Sequence, residues 1–302
     1  MLVIARQVVV LLLFALIGCV MVKKNVIRSE HSALLSSIAV HVFLPCSAFN
    51  TFCSNFTPAY LAEKYPLLLV STGLLVVLVL LGKFLARKLQ PTGYNRAVYE
   101  YSLIVANASY MGYPLMQGLY GDAGLLDMMV FALPLSLYTF TLGFDLLTEQ
   151  DKSGFQLKRL LKPVMVAMFL GCVVGLTGIP VPKVITQVTS SGGACLGPAG
   201  MLLLGIALAN FDPRELLRHK SVYILTAVRL VAIPLLLFAL LKLLRLDFAL
   251  LVTMMTYSMP AGLNVVVFPQ MIGHDCTRGA AVVLVSTVLS LITIPLCLYF
   301  LV

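Results

Sequence analysis

The sequence predicts an all-α membrane protein with ten transmembrane helices arranged as two inverted five-helix repeats, with helices 4 and 9 broken. Three observations carry that expectation. Of 302 residues, 60% are hydrophobic and only 11% charged, with a mean hydropathy of +1.01, where a soluble domain carries roughly 25% charge. Apolar runs of the ~20 residues needed to cross a hydrocarbon core fill nearly the whole chain. Two of those runs, one in each half, are interrupted mid-span by proline, glycine and asparagine.

In chain order the runs are 3–22, 32–54, 66–86, 97–119, 124–147, 162–180, 184–210, 219–243, 248–271 and 278–301. The first is too long for a signal-peptide core and ends at Lys23-Lys24 rather than at a small-residue cleavage site. The second carries His41 and Pro45 in mid-span, and the third stops at the basic group Lys83, Arg87 and Lys88. The fourth is broken by Asn107-Ala-Ser-Tyr-Met-Gly-Tyr-Pro114, and the fifth carries Leu135-Ser-Leu-Tyr-Thr-Phe-Thr-Leu142. A polar loop, Thr148 to Leu161, separates a first unit (1–150) from a second (151–302). After the sixth run, the seventh carries Pro198, and the eighth holds Arg229 deep inside it. The ninth is broken by Met259-Pro-Ala-Gly-Leu-Asn264, and the tenth carries Leu289-Ser-Leu-Ile-Thr-Ile-Pro-Leu296.

Three spacings relate the halves. The pattern L-S-L-x-T-x-x-L recurs at an offset of 154, Pro45 and Pro198 differ by 153, and Pro114 and Pro260 by 146. A five-span unit that repeats must enter the membrane with opposite polarity the second time, which is the inverted-repeat logic of secondary transporters. Charge sets the orientation. Alternate loops on one side hold 15 of the 21 Lys and Arg, and those on the other side hold Arg6, Lys64, Lys183, Lys242 and Arg245. The positive-inside rule then places both termini outside the cytoplasm of a multi-pass protein in the cell membrane. The net charge of +9 sits in these loops with no long basic run, so it reports topology and not a nucleic-acid partner.

The breaks are where chemistry is expected. Proline removes an amide donor and glycine loosens the backbone, and freed peptide groups survive in hydrocarbon only where they line protein or a wet cavity. Half-helix amino termini are electropositive, so two meeting at mid-membrane suit an anion, while unwound carbonyls beside them suit a cation. Asn107 and Asn264 either orient a substrate or mend the kinks; Ser109, Tyr110, Pro114 and Pro260 complete the candidate site. Arg229 either holds an anion, pairs with a backbone carbonyl or carboxylate, or snorkels to the interface. His41 either relays protons or packs as a neutral ring. Glu100, Asp127 and Asp145 lie near span ends, so coupling through a midplane acid is not expected. The seven cysteines show no C-x-x-C or other metal-ligand spacing, and no cofactor is expected.

At Asn107-Ala-Ser-Tyr-Met-Gly-Tyr-Pro-Leu115, at Met259-Pro-Ala-Gly-Leu-Asn264, and at Pro198-Ala-Gly-Met-Leu-Leu-Leu-Gly-Ile-Ala-Leu-Ala209, the chain resembles the auxin efflux carrier family in its bacterial members. Ser109 stands where that family usually has glycine. The resemblance implies a scaffold of spans 1, 2, 6 and 7, a moving domain of spans 3–5 and 8–10, and broken helices that cross at the midplane. It also implies elevator-like transport of small organic anions such as carboxylates, and a homodimer through the scaffold. The short central loop departs from the plant hormone carriers, so auxin itself is not implied. Three other readings compete. A sodium-coupled symporter of the bile-acid type shares the broken-helix architecture. A non-transporting membrane sensor usually needs an output domain. An intramembrane enzyme needs a nucleophile–base pair or metal cluster, and no such motif is present.

Overall fold

In the computed structural model, residues 2–90, 93–148, 163–209 and 219–301 are described. The expected boundary near residue 150, and the basic residues Lys152, Lys158, Arg159, Lys162, Arg214 and Arg218, lie outside them. Among the described residues the chain is helical throughout, apart from loops and one isolated antiparallel bridge. The helices are α1 (Leu2–Lys23), α2 (Ser32–Ser54), α3 (Pro58–Leu89), α4 (Tyr94–Ile104), α5 (Tyr113–Phe131) and α6 (Leu133–Thr148). They continue as α7 (Pro163–Thr177), α8 (Lys183–Ile206), α9 (Lys220–Leu243), α10 (Leu250–Tyr257), α11 (Asn264–Met271) and α12 (Thr277–Leu301). Five of these, α2, α3, α8, α9 and α12, are long and apolar enough to cross a membrane. A sixth crossing is available if Ala123–Phe131 and α6, bent by 50° at their junction, count as one.

Several helices contain a single widened π-helical turn, and proline explains most of them. Such turns occupy Ala39–Phe43, Ala108–Gly112 and Val228–Ala232, and each is followed two residues on by a proline: Pro45, Pro114 and Pro234. Proline cannot donate to the carbonyl four residues back, and its ring clashes there. Inserting one extra residue in the turn opens the space that the ring needs. His41 and Arg229 both lie inside such turns. The fourth π turn, Thr139–Gly143 in α6, has no proline after it.

Helix α3 begins eight residues earlier than residue 66, where the apolar run starts. The Thr57 hydroxyl caps it, accepting from the Tyr60 amide at 3.2 Å, and Pro58 sits at its first position, where proline is well tolerated. Its 32 residues span roughly 48 Å at ~1.5 Å per residue, well beyond the ~30 Å hydrocarbon core. The added turns carry Tyr60 and Lys64, which reach Asp127 at 2.6 and 3.4 Å. Glu63 and Lys64, which precede the apolar run, therefore belong to the same helix.

Helix α1 packs along the second half of α8, and the second half of α2 packs on α7 and on the first half of α8. The first of these contacts is backbone against backbone. A Cβ at Gly205 would overlap the Ala15 carbonyl, so only glycine permits α1 and α8 to meet this closely. These four helices are the ones expected to form a scaffold. The remaining helices gather around the crossing of the two broken segments, where the most buried residues concentrate, including Tyr110, Tyr257, Met259, Ala261 and Phe268.

Candidate functional site

Helix α4 stops at Ile104 because Val105 turns extended (φ −96°, ψ 120°) and Asn107 departs from helical geometry (φ −76°, ψ 54°). Helix α10 stops at Tyr257, and the chain stays non-helical until α11 begins at Asn264. These two interruptions lie against each other. Ala106 and Ala261 form an antiparallel bridge, in which the Asn107 amide donates to the Pro260 carbonyl and the Gly262 amide to the Val105 carbonyl, both at 2.9 Å. Each break thus satisfies peptide groups that the other has freed, which removes a cost of roughly 1–3 kcal/mol for every buried group left unpaired. The Ser286 hydroxyl of α12 adds a bond from the Ala261 amide at 3.2 Å.

The bridge adds a further spacing between the two halves. Ala106 and Ala261 differ by 155, close to the 153 and 154 of the other matches, whereas Pro114 and Pro260 differ by 146. Pro260 directly precedes the bridge, while Pro114 lies eight residues beyond it. The residue eight beyond Ala261 is Pro269, inside α11. Pro114 and Pro269 thus stand the same number of residues beyond the bridge.

A cavity lies beside the crossing, lined by Asn107, Ser109, Tyr110 and Asn264 from the breaks and by Ser136 and Thr139 from α6, among others. Of the residues singled out in the sequence, these first four come together there. Pro114 and Pro260 shape the crossing without lining the cavity. His41 lines a separate cavity, with its Nδ1 2.9 Å from the Ser37 carbonyl oxygen.

Two side chains define the polar character of the cavity. The Tyr110 hydroxyl donates to the Asn264 Oδ1 at 3.2 Å, tying one break to the other. Asn107 is 1% exposed, and neither its Oδ1 nor its Nδ2 has a hydrogen-bond partner among the described residues. An amide carries two donors and an acceptor with two lone pairs, so this side chain offers both kinds of group to an occupant. The water-accessible volume is about 20 Å³. Since roughly 10–15 Å³ houses one water, the cavity in this conformation has room for a water-sized occupant and nothing larger.

Arg229 is fully buried but lines none of the cavities that contain the other candidates. Its Nη1 donates to the Leu103 carbonyl at 3.2 Å, and its guanidinium carbon stands 5.7 Å from the centre of the Tyr257 ring. Leu103 is in the last turn of α4 and Tyr257 ends α10, so the cation faces the carboxy-terminal ends of two interrupted helices, where partial negative charge accumulates. Its Nε and Nη2 have no hydrogen-bond partner among the described residues.

The cavity-lining role of Leu135, Ser136 and Thr139 is not apparent in the sequence, although the signal was in view. They belong to the L-S-L-x-T-x-x-L pattern that recurs at an offset of 154. In α8, Gly200 belongs to the same group of overlooked positions: a Cβ there would meet the Tyr110 ring and lie 2.7 Å from Leu263 Cδ2. It gives both breaks room against the scaffold.

Residues 3–298 match the family model described as membrane transport protein. The chain belongs to that family. The membrane transport protein family is the auxin efflux carrier-like group whose motifs the two breaks resemble, and the chain is a membrane transporter within it. It is 25% identical over 299 residues to an uncharacterised transporter of Methanothermobacter thermautotrophicus, covering 94% of each chain. Over 122 residues it is 26% identical to an uncharacterised transporter of Methanocaldococcus jannaschii, covering 39% of each.

Proposed function

We propose that the protein is a secondary carrier that moves small organic anions such as carboxylates across the cell membrane by elevator-like alternating access, with the substrate bound at the crossing of the two broken helices. The observation that carries this reading is Asn107, a buried amide with no partner among the described residues, beside a mutual bridge between the two breaks. A buried polar group left unpaired in the resting state is destabilising, and an occupant with its own donors and acceptors removes that cost. Two helix amino termini begin at the crossing, those of the turn leading into α5 and of α11, and their partial positive charge favours an anion.

The ten-span, inverted-repeat arrangement belongs to the same proposal, with units 1–150 and 151–302 and both termini outside. Offsets of 153 and 154 between recurring positions support it, as does a bridge between the two breaks whose residues are 155 apart. The scaffold is α1, α2, α7 and α8, and the homodimer forms through it. Arg229 in this reading holds the crossing together and does not touch the substrate. Because the cavity now admits only water, binding requires the moving helices to shift against the scaffold, as alternating access demands.

The test is uptake of a panel of labelled carboxylates into proteoliposomes, with and without sodium and a pH gradient. The proposal expects saturable uptake of at least one member, independent of sodium. Strict sodium dependence would favour the symporter reading, and no uptake under any gradient would overturn the carrier reading.

A further inference from the structure

Three cavities meet at one side chain. The crossing cavity (about 20 Å³), a second between Leu44, Phe52, Met165 and Leu196 of the scaffold and Ser109 and Tyr113 of the break (about 40 Å³), and a third lined by His41, Phe144, Pro163 and Met271 (about 100 Å³) all have Phe140 in their walls. Among the described residues, no other lines all three. Phe140 is 5% exposed and leans on Phe268 of α11, with ring centres 6.0 Å apart. It sits in the π turn Thr139–Gly143, the one such turn that no following proline explains. A π turn re-aims a side chain by one residue's rotation and tends to mark functional positions. The π turn Ala39–Phe43 of α2, which carries Val40 and His41, lines the third cavity from the opposite side. A ring on an unexplained helical irregularity therefore separates a water-sized site from a cavity with room for several waters.

We propose that Phe140 is the gate of the binding site: its ring closes the crossing cavity off from the larger cavity at His41, and the substrate passes when the ring leaves Phe268. The access route then runs from the Pro163–Met271 end, next to the loops whose basic residues place them in the cytoplasm, past His41 and Phe140 to Asn107. Phe140 controls entry and does not hold the ligand. The proposal rests on the carrier reading for what passes the gate, but its test does not depend on transport.

The experiment uses cysteine-free protein carrying Ala108→Cys, a position that lines the crossing cavity alone among the three. The rate of modification by a small, charged methanethiosulfonate from the cytoplasmic face is the readout. Phe140→Ala is expected to raise that rate about tenfold, the change that follows from ~1.4 kcal/mol off a barrier, and Phe140→Trp to lower it. Ala280→Cys, buried and lining none of these cavities, serves as control and should stay slow in every background. Equal rates in wild type, Phe140→Ala and Phe140→Trp would overturn the proposal, and so would a parallel rise at Ala280→Cys, which reports general loosening. If Phe140→Ala does not fold, Phe140→Trp decides alone: slower modification supports the gate, and an unchanged rate overturns it. Uptake in the same vesicles keeps the two ideas apart. Rates that follow Phe140 without any uptake leave the gate standing and remove the carrier, while uptake with rates indifferent to Phe140 removes only the gate.

Discussion

Asn107 and Asn264 are both at breaks, but their side chains stand in opposite situations, and this separates their expected phenotypes. Asn264 accepts from Tyr110, so Tyr110→Phe should remove one neutral hydrogen bond and lower stability by about 1 kcal/mol, read as a reduced melting temperature in detergent. Asn107 has no such partner to lose. Asn107→Ala should leave the melting temperature unchanged or raise it while abolishing uptake, because it removes a buried amide that has no protein partner to lose and that the ligand engages. A large fall in melting temperature would show that Asn107 is structural. Arg229 is predicted to behave in the reverse way. Arg229→Ala strips the cation from the ends of α4 and α10 and leaves the Leu103 carbonyl without its donor, so folded yield should fall, while the KM of any surviving protein should not change. A raised KM at normal yield would put Arg229 back in the substrate site. The sequence marks these residues as noteworthy because polar groups are rare in apolar spans. It could not divide their roles, since which of them faces a cavity depends on packing among helices distant in the chain.

At the scale of the helix, most irregularities answer to a local cause. The π turns at Ala39–Phe43, Ala108–Gly112 and Val228–Ala232 follow from Pro45, Pro114 and Pro234, and the positions of those prolines were plain in the sequence. The extra turns of α3 were not, because the apolar run starts only at residue 66; the bonds from Tyr60 and Lys64 to Asp127 and the Thr57 cap are what make a longer helix stable. The 155-residue spacing of the bridge was hidden for a related reason. Proline marks a break, but the bridge sets the register, and only the fold shows that Ala106 faces Ala261. Helix α8 makes a further prediction. Gly200→Ala would drive a methyl into the Tyr110 ring and Leu263, and overpacking of this kind costs about 1–3 kcal/mol. Because the strain falls on both breaks, uptake should drop more than stability, whereas a fully active variant would show that the crossing tolerates displacement from the scaffold.

For the molecule as a whole, the helical membrane class was legible from composition, and the meeting of the two breaks was legible from their pairing across the halves. The cavity lining on α6 was hidden inside a motif that serves equally well as a mark of repetition. Orientation rests on charge, and labelling of single cysteines in a cysteine-free background tests it. A cysteine at Lys152 should react from the cytoplasmic side only, and reaction only from outside would invert the arrangement.

The central claim is that the crossing of the broken helices is a substrate site, and carboxylate uptake by wild-type and Asn107→Ala proteoliposomes matched for folded protein tests it most directly. The account predicts saturable uptake by the wild type and none above the protein-free background for Asn107→Ala. Equal uptake by the two proteins would contradict it.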